Sequence, residues 1–429
     1  MTPLSSRHEM PWFFNPRFIT AGVLLPAYLL IWFVANVLDV RLSTAKGFFF
    51  FQGDAFLLGL AVLLALVYGT LLPVNVFAIV NPRRRGLVPP LWFIQLVGVL
   101  ALVGYAYWFR ELLANPEVLL DALRGGGAIS YELRSNVERS AGLASLATLS
   151  LAYFALMSHR AWVIRPGPLS AQMKLLSVLI FLLTVFRAFA WSERLALFEV
   201  LLIIAIFWAG HSDRASRGWI GRIRPILPVI AVAVVVVVFG AAEYFRSWSS
   251  FYAKTESDYW AFIGQRLINY YAQALNTGAG LVTVLDWPSY QFGYLLEWLQ
   301  KFPVLLGPIM RYLTDMQPTF FLERFGDPEF NNPSGIFSVL YDVGLGPAMA
   351  IFALTGLLAQ SAFRAFQDRD NVFGLFYPVF FMALVEIFRY WYLGNSRTFL
   401  FVIALVLAVM LAQPLKKPQS SGLSTIGYA

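Results

Sequence analysis

The sequence predicts an all-α polytopic membrane protein of about ten transmembrane helices, and three observations carry that prediction. Of the 429 residues, 59% are hydrophobic and only 13% charged, about half the charged share of a soluble domain. The apolar residues come in runs of about 20, the length at which a helix crosses a bilayer. Phe, Tyr and Trp make up 17% of the chain, which suits side chains that sit both in lipid and at its interfaces. A water-soluble fold is excluded. The chain contains no cysteine, so disulfides, thiolate nucleophiles and Cys-based metal sites are excluded too.

In chain order the expected spans are Phe18–Val37, Ala55–Val80, Pro90–Phe109, Ala141–Ser158, Leu175–Ala190, Ser192–Gly210, Pro225–Phe245, Gly335–Phe363, Phe373–Leu393 and Arg397–Leu411. A proline or a charge marks most boundaries, while the fifth and sixth spans are separated by almost nothing. The chain then divides into residues 1–245 with seven spans, a large external loop over 246–334, three spans over 335–415, and a tail over 416–429. The first span reads as an anchor, because it begins only at Phe18 and lacks a small-residue cleavage site at its end. Ser421–Ala429, rich in Ser and Gly, reads as a disordered tail.

Lys and Arg set the orientation, because positive side chains resist translocation. With ten spans, both termini and the even-numbered loops fall on one side and carry sixteen Lys and Arg against four Asp and Glu. That side is the cytoplasm. The basic balance of the chain, a net charge of +8, reports this orientation and not nucleic-acid binding. The cytoplasmic loops are too short to fold a catalytic domain. Asp368-Arg369-Asp370 has the carboxylate spacing of metal-dependent sugar-nucleotide transferases, but no domain surrounds it. His8, His159 and His211 all map to the cytoplasmic side, so no histidine base or metal cluster is expected outside. Gly125-Gly126-Gly127 reads as a flexible loop.

The mass outside the membrane lies in Arg110–Ser140 and above all in Arg246–Ser334, which holds Trp248, Trp260, Trp287 and Trp298. Apolar helical patterns in that loop place it along the membrane, and an active site belongs there. Within Asp258–Asn276, Arg266, Asn269, Gln273 and Asn276 recur at intervals of three and four, with Trp260, Ile263, Leu267, Tyr270, Tyr271 and Ala274 on the other faces. The stripe reads either as donors and acceptors facing a carbohydrate or as the wet face of an interfacial helix. Tyr294–Tyr312, with Pro303 and Pro308, reads as a broken, half-inserted piece, and Arg324–Ser334 as a turn-rich connection.

Charges inside the spans are the main chemical signal. An arginine at a bilayer centre costs roughly 3 kcal/mol on insertion scales, so such residues face a bundle interior or a watery cavity. Arg187 and Arg194 flank the turn between the fifth and sixth spans, and Arg389 and Arg397 that between the ninth and tenth. The two turns look alike: Phe186-Arg187 and Ser192-Glu193-Arg194 against Phe388-Arg389 and Asn395-Ser396-Arg397. With Arg246 and Arg266 they make six guanidinium groups that can gather around one polyanion, the planar fork donating two parallel hydrogen bonds to phosphate. The plainer reading is that each snorkels or pairs locally, as Arg389 can with Glu386 one turn away. Asp342 and Glu386 are the acidic residues deepest in the external halves of spans, apart from Glu199 inside the sixth. Either reads as a proton acceptor or as the local partner of an arginine.

At this point the residues resemble a family. Asn332-Pro-Ser-Gly-Ile-Phe-Ser-Val-Leu-Tyr-Asp342-Val-Gly344, the Ser-Glu-Arg194 turn and the long aromatic external loop resemble the bacterial oligosaccharide repeat-unit (O-antigen, Wzy-type) polymerases. Arg266 and Gly278, with eleven residues between them, meet that family's Arg-ten-Gly pattern only approximately. The resemblance implies a GT-C-like, metal-independent glycosyltransferase without cofactor. It would move a glycan from undecaprenyl pyrophosphate onto the next lipid-linked unit at the periplasmic face of the inner membrane. Its partners would be the undecaprenyl-pyrophosphate-linked oligosaccharide, the lipid bilayer, a chain-length regulator and a flippase, and no nucleic acid. Arg194, Arg246, Arg266 and Arg397 would bind phosphate, supported by Arg187 and Arg389. Asn269 and Gln273 would face the sugar. Asp342 would be the base, with Glu386 in reserve. Two rivals share the layout: an O-antigen ligase, although the ligases compared carry an external histidine missing here, and a transporter, although its loops would be short.

Overall fold

The computed structural model describes residues 10–37, 47–80, 86–117, 142–164, 169–190, 194–211, 224–244, 248, 252–254, 258–301, 317–327, 329–368 and 371–414. Arg246, Gly125–Gly127, the tail 416–429 and residues 302–312 of the expected half-inserted piece lie outside the described residues. Regular structure is almost wholly helical. Helix α1 covers 18–36, opening as a π-helical stretch over Phe18–Leu24. It is followed by α2 (Gly53–Leu71), α3 (Leu91–Trp108), α4 (Leu149–Ser158), α5 (Ala171–Ala190), α6 (Arg194–His211) and α7 (Leu227–Glu243). The region between the two hydropathic halves forms α8 (Tyr259–Val284) and α9 (Gln317–Phe325). The chain then continues through α10 (Gly335–Val343), α11 (Leu345–Gln367), α12 (Tyr377–Val385) and α13 (Ser396–Met410).

The expectation of about ten spans is corrected here. Five helices among the described residues are long and apolar enough to cross a membrane: Phe18–Asn36, Gly53–Leu71, Leu91–Trp108, Ala171–Ala188 and Leu345–Gln367. The other apolar runs are broken into shorter pieces, namely Leu195–His211, Leu227–Ala241, Val372–Val385 and Ser396–Met410. The reason is local geometry that a hydropathy window does not register. An uninterrupted helix of 18 residues rises about 27 Å. Leu143–Thr148 is instead a 3-10 stretch, which leaves only ten residues of α4 in the expected fourth span. In the ninth, the 3-10 segment Val372–Phe376 precedes α12, with Pro378 in its first turn, and α12 ends at Val385.

Close approach of backbones holds the bundle together. A Cβ on Gly69 of α2 would lie 2.0 Å from the Ala353 carbonyl oxygen of α11, and one on Gly356 of α11 would lie 2.3 Å from the Leu66 oxygen. The two helices therefore touch main chain to main chain, as small residues permit where lipid offers no hydrophobic drive between helices. Arg17 donates through Nε to the Thr70 carbonyl at 3.0 Å, and Arg364 through Nη1 to Val74 at 3.0 Å and Pro73 at 3.2 Å. Both guanidinium groups thus close the C-terminal end of α2, where carbonyls lack helical partners.

Several distant segments gather at that same end. Leu87 and Val88 pair antiparallel with Pro414 and Gln413. The ring of His159 meets Phe207, that of His211 meets Phe366, and the Tyr377 hydroxyl donates to the Phe14 carbonyl. The basic loops that sequence assigned to one side are therefore neighbours wherever they are described. The opposite end, where α2 and α11 begin and α5 and α12 finish, holds Arg187, Asp342, Glu386 and Arg389. Gly356→Leu should force α2 and α11 apart and cost about 3 kcal/mol. A melting temperature of the detergent-solubilised variant equal to wild type would contradict this packing.

Candidate functional site

Helix α8 supplies the first wall. The Asp258 carboxylate caps it, accepting from the Trp260 amide at 2.9 Å and the Ala261 amide at 3.4 Å. Arg266, Asn269, Gln273 and Asn276 are all buried, whereas Trp260 is 60% and Ile268 56% exposed. The stripe thus points into the protein and an apolar flank points out, the reverse of a helix lying wet-side-up on a membrane. Asn276 has a structural task. Its Oδ1 accepts from the Phe50 amide at 2.7 Å and its Nδ2 donates to the Phe48 carbonyl at 3.1 Å, which ties the segment before α2 to α8.

Arg266 sits 5% exposed between two carboxylates. Its Nε lies 3.1 Å from Glu243 Oε2, on the last residue of α7, and its Nη1 donates to Glu329 Oε2 at 2.6 Å. Tyr252 donates to the same Glu329 oxygen at 3.2 Å. Rings of Phe330, Phe262 and Tyr252 surround the guanidinium at 5.1, 5.2 and 5.6 Å from their centroids. Glu243 is fully buried, so this arginine neutralises a charge the apolar end of α7 could not otherwise carry.

Tyr270 connects Arg266 to a second charged group. Its ring meets Phe330 edge-on at 5.0 Å, and on its other side the Arg389 guanidinium lies 5.1 Å from its centroid. Beyond Val385 the chain leaves α12 in a tight turn, the Glu386 carbonyl accepting from the Arg389 amide at 2.8 Å and the Tyr390 amide at 3.0 Å. That turn brings Arg389 Nη1 to Glu386 Oε2 at 2.8 Å. Burial and the Glu386 carboxylate together push the Tyr271 phenol up to about 12.

A third group adjoins the second. Asn395 caps α13 by accepting from the Arg397 amide at 3.1 Å, and Arg397 Nη1 stands 3.6 Å from Glu199 Oε2 on α6. Glu199 is buried, and Arg397, the Tyr392 hydroxyl, Glu386 and Arg187 all act on it electrostatically. Arg187, at the last turn of α5, is buried with its guanidinium 3.8 Å over the Trp108 ring. The Tyr390 phenol feels Glu386 and Glu199 alike, and burial, with these two charges, holds it protonated well above its usual range. Its hydroxyl and the Arg389 Nε are buried without a hydrogen-bond partner among the described residues.

Four of the six sequence-predicted arginines, Arg187 and Arg266 buried and Arg389 and Arg397 half-buried, thus lie along one tract beside Tyr270, Phe330 and Tyr390. Arg194 opens α6, with its side chain outside the described residues, as is Arg246. Four glutamates pair with three of these cations, Glu243 and Glu329 with Arg266, Glu386 with Arg389 and Glu199 with Arg397, and Arg187 acts on Glu199 electrostatically. Sequence reading had named Glu199 only in passing and Glu243 not at all. A carboxylate inside an apolar run must find a cation, and that rule, applied to the predicted arginines, would have found both. Asn269 and Gln273 face inward on α8, one and two turns beyond Arg266.

Asp342 stands apart from this tract. Its Oδ2 accepts from the Tyr294 amide at 2.8 Å and the Leu295 amide at 2.7 Å, and the Tyr290 amide donates to its carbonyl at 2.9 Å. The groups acting on it are those amides, the Gly293 amide and the Ser289 hydroxyl, with no guanidinium among them. Burial raises its carboxyl to about 6 while the hydrogen bonds pull the other way. The side chain holds segment 289–295 against the end of α10. Next along the chain, Glu297 accepts from Asn395 Nδ2 at 2.8 Å and Trp298 stacks on Phe399 at 4.2 Å. Among the described residues no group of three or more His, Asp or Glu could hold a metal ion.

No protein family, no curated protein and no solved structure matches the chain. The site is read from its own residues.

Two measurements test this geometry. Glu243→Ala leaves Arg266 buried with one carboxylate fewer and should cost about 3 kcal/mol, whereas Glu329→Ala, at a partly exposed position, should cost under about 1 kcal/mol; equal losses in unfolding experiments would contradict the assignment. Asp342 has its folded value above the unfolded one, so its contribution to stability is greatest at low pH and is lost as pH rises through about 6. Asp342→Asn should flatten the fall of melting temperature with pH between about pH 4 and 6, and an unchanged slope would sink the point.

Proposed function

We propose that this protein is a membrane glycosyltransferase that joins undecaprenyl-pyrophosphate-linked oligosaccharide units into a surface polysaccharide at the periplasmic face of a bacterial inner membrane. The observation that carries the reading is the tract of arginines, Arg187 buried and Arg389 and Arg397 half-buried, around Glu199, Glu386 and Tyr390, at the end of the apolar helices opposite Arg17 and Arg364. Such a tract suits a diphosphate, because guanidinium forks bind it bidentately and a dry setting strengthens each contact. In this reading the Arg17–Arg364 end and both termini face the cytoplasm, and the arginine tract opens toward the periplasm.

The reaction is an inverting displacement. The acceptor hydroxyl oxygen forms a bond to the anomeric carbon as the bond from that carbon to the diphosphate oxygen breaks. The electron pair leaves on undecaprenyl pyrophosphate, and the hydroxyl proton passes to a carboxylate. Arg187, Arg389 and Arg397 stabilise the departing diphosphate, with Arg266 binding beyond Tyr270. Glu386, which stands among these cations, is the better-placed proton acceptor. Asp342, held by main-chain amides, positions the loop beside them. Asn269 and Gln273 meet the sugar. The donor is already activated, so the reading needs neither nucleotide nor metal.

A deletion strain should accumulate surface glycan of a single repeat unit. Loss of all surface glycan with polymer retained on its carrier would instead indicate a ligase, and loss of surface glycan with unpolymerised lipid-linked units stranded on the cytoplasmic side a transporter. Complementation with Arg397→Lys keeps the charge but loses the fork and should cut polymer formation about 100-fold. Glycan of wild-type length from that variant would count against the arginine's role.

A further inference from the structure

We propose that Glu199 and Glu386 are resident anions of the arginine tract, occupying the guanidinium positions that an incoming diphosphate takes over. The inference rests on the diphosphate reading above. It starts from charge balance: Arg397 is 3.6 Å from Glu199 and Arg389 2.8 Å from Glu386, so neither cation is idle before a ligand arrives. The groups facing Glu199 are Arg397, Arg187, Glu386, Tyr390 and the Tyr392 hydroxyl, from α5, α12–α13 and the turn between them. Those facing Glu386 are Arg389, Tyr271, Tyr390 and Glu199.

The two pairs are unequal. Glu386 and Arg389 are hydrogen-bonded and three residues apart on one turn. Glu199 and Arg397 sit on different helices at a distance beyond a hydrogen bond. An anion with several oxygens outcompetes a single carboxylate for a guanidinium fork. The looser Glu199 pair therefore yields first. A diphosphate that takes Arg397 and Arg187 leaves Glu199 buried without a counter-charge, and such a carboxylate binds a proton. The Tyr390 hydroxyl, already protonated and without a partner among the described residues, is the donor that meets the new anion.

The test is calorimetric titration of the full-length protein in detergent with inorganic pyrophosphate, repeated in two buffers of different ionisation enthalpy. Pyrophosphate binding to guanidinium groups can only release its own protons, so net uptake must come from the protein. Wild type should take up about one proton per site. Glu199→Gln should take up none and should bind about tenfold more tightly, because the competing anion is gone. Wild-type binding without proton uptake, or a Glu199→Gln protein that binds no more tightly, overturns the proposal while leaving the diphosphate reading standing. No binding by wild type removes both. Should Glu199→Gln fail to fold, the wild-type proton count decides alone.

Discussion

Burying a guanidinium group in an apolar bundle costs several kcal/mol unless a carboxylate and further donors or acceptors accompany it. The charged tract of this protein follows from that constraint. Arg266 brings Glu243 and Glu329 to one point and so ties α7, α8 and the segment before α10 together. Arg397 draws α13 onto α6 through Glu199. The ring of Tyr270 lies between the Arg266 and Arg389 groups and gives both a polarisable wall. Helices too short to span alone are thereby fixed to one another by charge at one end, as α2 and α11 are by glycine contact along their length.

The same constraint gives the tract its chemistry. Ion pairs that are fully satisfied are structural and nothing more. Here Tyr390 and Arg389 Nε keep buried hydrogen-bonding capacity in reserve among the described residues. Asp342 contributes by holding the 289–295 segment, from which the chain runs on to Glu297 and Trp298 and so to the start of α13. One carboxylate orders the loop, and others, placed among cations, are available to reaction.

What could be read in advance follows chemical locality. The Glu386–Arg389 pair lies one turn apart and was visible as such, and the α8 stripe was visible as a period of three to four. Which way that stripe faces was not, because periodicity defines a stripe and leaves its surroundings open; the wet-face alternative fails only once Ile268 and Trp260 are seen exposed and Arg266 buried. The Glu199–Arg397 contact joins residues far apart in the chain, and Asp342 is claimed by main-chain amides that have no sequence signature. Helix count was misjudged for a related reason. Hydropathy sums apolar residues over a window, whereas the 3-10 turn at Leu143–Thr148 and the tight turn that ends α12 after Val385 break the rod without changing the sum.

The most direct test is a cryo-electron microscopy structure of the protein in lipid nanodiscs with a polyprenyl pyrophosphate bound. The account predicts density for both phosphates within hydrogen-bond reach of Arg397 and Arg389, beside the Tyr390 hydroxyl, with the prenyl chain leaving between apolar helices. Phosphate density elsewhere on the molecule, with Glu199 and Glu386 still seated on their arginines, would contradict it.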